Sequence, residues 1–202
     1  MKEKSKHISK VIISGGGTGG HIFPAIAIAD EIKTRNDKAQ ILFVGAIGKM
    51  EMTRVPDAGF EIVGLPITGF QRKLSLSNFV LPFKLLLSLF RARKVIKRFA
   101  PEIVIGVGGY ASGPTLKMAT LLGVPTVVQE QNSFPGKTNI LLSKKVNLIC
   151  TAYSGLEKFF PIDKIKLTGN PIRKNLSEDK VSKEEALSVF DLSTDKKTIL
   201  VL

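Results

Sequence analysis

The sequence predicts an α/β domain built on a doubly wound, mostly parallel sheet, and three observations carry that prediction. Short β-branched and apolar runs recur along the chain, most are separated by stretches with helical spacing, and glycine-rich turns follow two of them. Strands that are apolar throughout belong to a sheet covered on both faces, and crossover helices make their pairing parallel. In such sheets ligands settle at the carboxyl ends of the strands.

The first strand, Val11–Ser14, passes into Gly15-Gly16-Gly17-Thr18-Gly19-Gly20-His21 and then a helix over Pro24–Thr34, whose alanines and isoleucines suit packing on a sheet. Strands follow at Ile41–Gly45 and Glu61–Leu65, then a helix at Leu76–Phe99 and a strand at Glu102–Val107. A helix at Thr115–Leu122, a strand at Pro125–Gln129, a helix at Thr138–Lys144 and a strand at Leu148–Thr151 continue the alternation, closed by a helix at Gly155–Phe160 and a strand at Lys164–Leu167. Gly169-Asn170-Pro171-Ile172-Arg173 marks a domain boundary that divides 1–173 from 174–202. Beyond it a short helix opens at a capping box from Ser182 to Glu185, and Thr198–Leu202 starts another strand. A strand there lacks partners and a crossover helix, so the chain is expected to be the first part of a longer protein.

At 202 residues and 44% hydrophobic, the chain can bury a full core. A single cysteine, Cys150, excludes an internal disulfide and is expected to be a small buried strand residue. No signal peptide is readable after the basic Met1–His7, and no apolar run reaches the roughly 18 residues that span a bilayer, so the character is cytoplasmic. The net charge is +13, and between Glu61 and Glu102 there is no acid at all, while Arg72, Lys73, Lys84, Arg91, Arg93, Lys94, Lys97 and Arg98 fall there. Within that region 79–90 is apolar and flanked by cations, which fits an interfacial helix on anionic lipid. The alternative is that its leucines face the sheet; nucleic acid is disfavoured because aromatic residues interleaved with basic ones are missing.

Gly15, Gly17 and Gly20 satisfy G-x-G-x-x-G, and a glycine turn entering a helix offers N–H groups and the positive dipole end to an anion such as a diphosphate. A dinucleotide site also needs an acid closing the second strand, and Phe43-Val44-Gly45-Ala46-Ile47-Gly48 holds none, which weakens an NAD(P)-dependent oxidoreductase reading. A P-loop needs lysine where His21 stands. The second glycine turn, Gly106–Pro114, follows the fourth strand, and the two turns are expected to face each other across a cleft that holds one extended phosphate ligand. Glu130-Gln131-Asn132 closes the fifth strand with polar side chains aimed at that cleft, capping by Asn132 or Ser133 being the alternative. His21, an imidazole beside an anion loop, suits a general base or a phosphate partner. No histidine, cysteine and carboxylate spacing suggests a metal.

Taken together, Gly16–Pro24, Gly106–Pro114, Glu130–Asn132 and Gly169–Arg173 resemble the bacterial undecaprenyldiphospho-muramoylpentapeptide β-N-acetylglucosaminyltransferases of glycosyltransferase family 28, over about residues 8–176. The resemblance implies the GT-B architecture, two Rossmann-like domains with the active site between them. Residues 1–173 would be the acceptor- and membrane-binding domain, and 174–202 the opening of a truncated UDP-sugar donor domain. It implies inverting transfer of N-acetylglucosamine from UDP-N-acetylglucosamine to the muramoyl 4-hydroxyl of lipid I. The product, lipid II, serves peptidoglycan synthesis, hence cell-wall biogenesis, cell shape and cell division. The 202-residue chain alone is expected to be inactive.

The same resemblance assigns donor contacts to Thr18, Gly19, Gly20, Asn132 and Arg173, and proton transfer to His21, with Glu130 as the second candidate. It assigns acceptor contacts to Gly16, Gly17, Gly108, Gly109, Tyr110, Ser112 and Asn139. Phe79, Leu81, Phe83, Lys84, Leu87, Phe90 and Arg91 would dock on the anionic cytoplasmic face of the bacterial membrane, making the protein peripheral. The implied partners are UDP-N-acetylglucosamine and lipid I, with no cofactor and no nucleic acid. Another GT-B lipid glycosyltransferase, such as one using diacylglycerol, and a non-catalytic membrane-binding module stay as alternatives.

Overall fold

The structure, a computed structural model, describes residues 8–69, 77–173 and 181–199. In chain order it runs β1 (Lys10–Ser14), α1 (Gly19–Arg35), β2 (Gln40–Ala46), α2 (Glu51–Asp57), β3 (Glu61–Leu65), α3 (Ser77–Phe99) and β4 (Ile103–Gly106). Then come α4 (Ser112–Leu121), β5 (Thr126–Glu130), α5 (Lys137–Ser143), β6 (Leu148–Thr151), a 3-10 turn (Ile162–Lys164), β7 (Ile165–Leu167) and α6 (Lys183–Val189).

The seven strands form one sheet, ordered β3-β2-β1-β4-β5-β6-β7, and every pairing is parallel. Val11, Ile12 and Ile13 are all fully buried because β1 lies mid-sheet with helices on both sides. Ile12 packs with α3, α4 and α5 through Ala92, Ile96, Leu116, Ala119 and Leu142, whereas Val11 and Ile13 pack with α1 and α2 through Ala25, Ile26 and Val55. Alternation along one strand therefore feeds two cores. The strand order reverses between β1 and β4, the switch point at which open α/β sheets form a crevice. There Ser14 pairs with both Val44 and Gly106, so the glycine turns leave side by side.

The expected strands over 11–167 are all present, and the capping box forms, with Ser182 Oγ accepting from Glu185 N and Glu185 Oε2 accepting from Ser182 N, each at 3.1 Å. Three elements differ from expectation. Helix α1 starts at Gly19 rather than Pro24, because extended Thr18 (φ −143°, ψ 159°) ends the loop and Gly19 and Gly20 take helical geometry. Residues Gly155–Phe160 make a single turn, with Phe159 N and Phe160 N both donating to Leu156 O, between Gly155 at φ +80° and Pro161. A segment that short cannot offset the cost of helix nucleation. Helix α2 was not expected, since Pro56 and the flanking glycines hide its spacing. Thr198 and Ile199, where a last strand was expected to start, are not strand; 200–202 lie outside the described residues, as does 174–180, which follows the boundary expected at Gly169–Arg173.

Candidate functional site

The carboxyl ends of β1, β4 and β5 meet in one place. Parallel neighbours release their turns in the same direction, and the two glycine turns pack against each other instead of facing across a cleft, which corrects the expected arrangement. Gly16 N donates to Gly108 O at 3.3 Å, and a Cβ on Gly109 would lie 2.2 Å from Gly16 O. Gly108 (φ +93°) and Gly109 (φ +85°) are both required by backbone geometry, and Gly109 also by this contact. The result is a continuous floor.

Along the first turn, exposure rises from buried Gly15 and Gly16 to exposed Thr18 and Gly20. His21 N and Ile22 N both donate to Thr18 O at 3.1 Å, which leaves the Gly19 and Gly20 N–H groups at the helix start without an acceptor one turn back. Those amides, with the dipole behind them, are the groups of the turn that could take an anion. Gly17 is not part of it: its N–H donates to Glu51 Oε2 at 2.8 Å. The other oxygen, Glu51 Oε1, accepts from Ala46 N at 2.9 Å, and the carboxyl is 1% exposed. Alanine at Gly16 would drive its Cβ to 2.2 Å from that carboxyl. Glu51 is the acid beyond β2, yet it is walled in by the turn and out of reach of a ribose, which further disfavours a dinucleotide. The sequence does not reveal it, because Glu51 lies beyond Gly48 and its only local signal is an acid opening a short helix.

Beside the floor, Glu130 is 1% exposed. Its Oε1 accepts from Asn132 N (3.0 Å) and Asn132 Nδ2 (3.1 Å), and its Oε2 accepts from Gly136 N (3.1 Å) and Asn139 Nδ2 (2.8 Å). Glu130 thus brings Asn132 and Asn139 together and turns both oxygens inward. The His21 ring stands against Gly108, where a Cβ would come within 2.7 Å of Cε1, and its Nδ1 is 3.2 Å from Gln131 Oε1.

Arg173 stacks on Phe23, its guanidinium 4.3 Å from the ring centroid, while that ring lies 3.1 Å from a Cβ built on Gly19. A cation therefore sits close to the helix start, and its Nε is buried without a partner among the described residues. Tyr110 is half exposed beside Gly69. Ser112 is not brought to the floor: it is fully buried, with Oγ 2.6 Å from where Gly106 would carry a Cβ. Cys150 lies in β6, where burial pushes its thiol up.

Helix α3 carries the basic region. Ser88, Ala92 and Ile96 are buried at helical spacing, while Val80, Phe83, Leu86, Leu87 and Phe90 are exposed on the opposite side, so these leucines are not part of the core. Leu81 and Lys84 are half-buried, Arg91 is exposed, and the Phe79 side chain lies outside the described residues. Leu87, Phe90, Arg91, Lys94 and Arg98 line a groove of ≈ 830 Å³ against β2 and β3. No helix among the described residues is long and apolar enough to cross a membrane.

The model of the glycosyltransferase family 28 N-terminal domain matches residues 11–151. The UDP-N-acetylglucosamine–N-acetylmuramyl-(pentapeptide) pyrophosphoryl-undecaprenol N-acetylglucosamine transferase of Bacteroides fragilis is 57% identical over 201 residues, covering 100% of this chain and 53% of the relative. The protein of the same description from Parabacteroides distasonis is 59% identical over 193 residues, covering 96% of this chain and 52% of the relative. The chain therefore spans about half the length of the curated relatives it matches. Among solved structures, the MurG of Acinetobacter baumannii has a TM-score of 0.69 and 31% identity, covering 87% of this chain and 50% of that one. The UDP-GlcNAc 2-epimerase of Neisseria meningitidis, with a TM-score of 0.64 and 16% identity over 92% of this chain and 55% of its own, shares the fold alone.

Proposed function

The chain belongs to glycosyltransferase family 28, and from that premise we propose that it supplies the acceptor half of an inverting N-acetylglucosaminyltransferase acting on lipid I. In this reading 1–173 is the acceptor and membrane domain, and 174–202 leads into a donor domain. The observation that carries the proposal is the placing of two functions on one helix turn: the Gly19 and Gly20 amides suit a diphosphate, and the His21 imidazole suits a general base.

The chemistry follows from those groups. The muramoyl 4-hydroxyl attacks the anomeric carbon as His21 takes its proton, and the bond to the diphosphate oxygen breaks with its electrons leaving on UDP. The helix start, the Thr18–Gly20 backbone and Arg173 receive the charge that develops on the leaving group. Glu130, whose oxygens are occupied, orders Asn132 toward the donor and holds the buried Asn139 behind the acceptor side, which leaves proton transfer to His21. Gly16, Gly17, Gly108, Gly109 and Tyr110 form the floor under the acceptor, while buried Ser112 supports the turn from below. Helix α3 rests its exposed apolar stripe and its cations on the anionic cytoplasmic membrane face, where a lipid-linked acceptor is found.

The test is transfer from labelled UDP-N-acetylglucosamine by the full-length protein, offered lipid I and diacylglycerol separately. Labelled, β-linked product on lipid I is expected. Label on diacylglycerol alone would place the protein among other lipid glycosyltransferases and end this reading.

A further inference from the structure

The orientation of the Gln131 side chain is fixed from the side away from His21. Its Nε2 donates to Val107 O at 3.0 Å and Gln129 O at 3.3 Å, and also meets Gln129 Oε1. Main-chain carbonyls only accept, so the NH2 group must point at them and Oε1 must point at the imidazole. The neighbouring amides agree: Gln129 Nε2 donates to Asn170 Oδ1 at 3.4 Å, and Asn170 Nδ2 donates to Gln131 O at 3.3 Å. Every bond in the chain Asn170, Gln129, Gln131 has one possible polarity, and Gln129 and Gln131 are 3% and 7% exposed. The chain ends on His21 Nδ1, 3.2 Å from Gln131 Oε1, where the acceptor oxygen demands an N–H.

We propose that Gln131 is a positioning residue that locks the neutral His21 ring in the Nδ1–H tautomer, so that Nε2 is the atom that takes the acceptor's proton. The tautomer stands on hydrogen bonding alone; the identity of the proton rests on the function proposed above. As the 4-hydroxyl oxygen bonds to the anomeric carbon and the C–O bond to UDP breaks, the proton passes to Nε2 and the imidazolium keeps its Nδ1–H bond to Gln131. An amide holds the ring as an aspartate holds a triad histidine, without adding charge. The ring lies close against Gly108, where any side chain would meet Cε1 and Nδ1. Of the ionisable groups on the surrounding elements, Glu51 is bonded to Gly17 and Ala46, Glu130 to Asn132, Gly136 and Asn139, while Arg173 stacks on Phe23 and Tyr110 lies beside Gly69.

The chain has two histidines, so a long-range proton–nitrogen NMR correlation on the 15N-labelled protein, with His7→Gln for assignment, reads the His21 tautomer directly. Neutral His21 is expected to show a protonated Nδ1 and a lone-pair Nε2. A protonated Nε2 in the wild type overturns the proposal, whatever any variant does. In the full-length protein, Gln131→Leu is expected to lower kcat by about 10²-fold with little change in the KM for the sugar donor, as misplacement of a reacting group does. Gln131→Glu stabilises the imidazolium, so the acid limb of kcat/KM moves to higher pH. Unchanged kcat in Gln131→Leu, or an unmoved acid limb in active Gln131→Glu, overturns the positioning role. An Nδ1–H tautomer in a protein that transfers no N-acetylglucosamine instead upholds the lock and overturns the proposed reaction.

Discussion

Glu51 decides the shape of the first glycine turn. Its two oxygens take the N–H groups of Gly17 and Ala46, and Gly16 and Gly45 have no room for a side chain because the Glu51 side chain fills it. Glu51→Ala strands both N–H groups, at about 1–3 kcal/mol for each left without a partner, and is expected to lower the thermal midpoint by roughly 5–15 °C. A melting curve that coincides with the wild type would show that the turn does not depend on this carboxyl. Much of the site was legible at this scale. The glycines, His21 and Glu130-Gln131-Asn132 mark a candidate site because few structural roles call for such a cluster, and the structure brings them together. Glu51 was not legible, since a carboxyl capping backbone N–H groups up to 34 residues away leaves no spacing to read. Glu130 was legible as a site residue, but its four donors appear only when Asn132, Gly136 and Asn139 converge on it.

At the scale of the element, α3 shows what a pattern leaves open and a structure closes. Its composition admitted leucines turned toward the sheet or away from it. Ser88, Ala92 and Ile96 take the inner face, so Phe83, Leu87 and Phe90 remain outside at 74%, 60% and 63% exposure. Replacing those three with serine is expected to abolish flotation of the full-length protein with vesicles containing phosphatidylglycerol or cardiolipin, while the thermal midpoint holds because no core contact is lost. Retained flotation would exclude this face as the docking surface. The strands were legible because a doubly covered parallel strand is apolar at every position, a signal that needs no tertiary context. Helix starts were less so: Pro24 suggested the beginning of α1, yet helix geometry sets in at Gly19, where glycine has no propensity signal to give. That earlier start is what puts His21 inside the first turn.

For the whole molecule, the reversal of strand order between β1 and β4 explains why motifs far apart in sequence share one location. The glycine turn after β1, the turn after β4, the polar end of β5 and Asn170 after β7 are joined by hydrogen bonds through Gly108, Val107, Gln129 and Gln131. A parallel sheet gathers the ends of its strands along one edge, and the switch point opens that edge to a ligand. The alternation of strands and helices made this convergence readable in outline, whereas contact between the two turns depended on β1 and β4 being neighbours. In the reaction proposed above, His21 is the base of an N-acetylglucosaminyl transfer. The most direct measurement is the single-turnover rate of transfer to lipid I by the full-length His21→Ala protein, beside calorimetric binding of UDP. A rate lower by about 10²–10⁴-fold with UDP binding kept is expected; a rate equal to wild type, or a loss fully explained by lost UDP binding, would exclude His21 as the base.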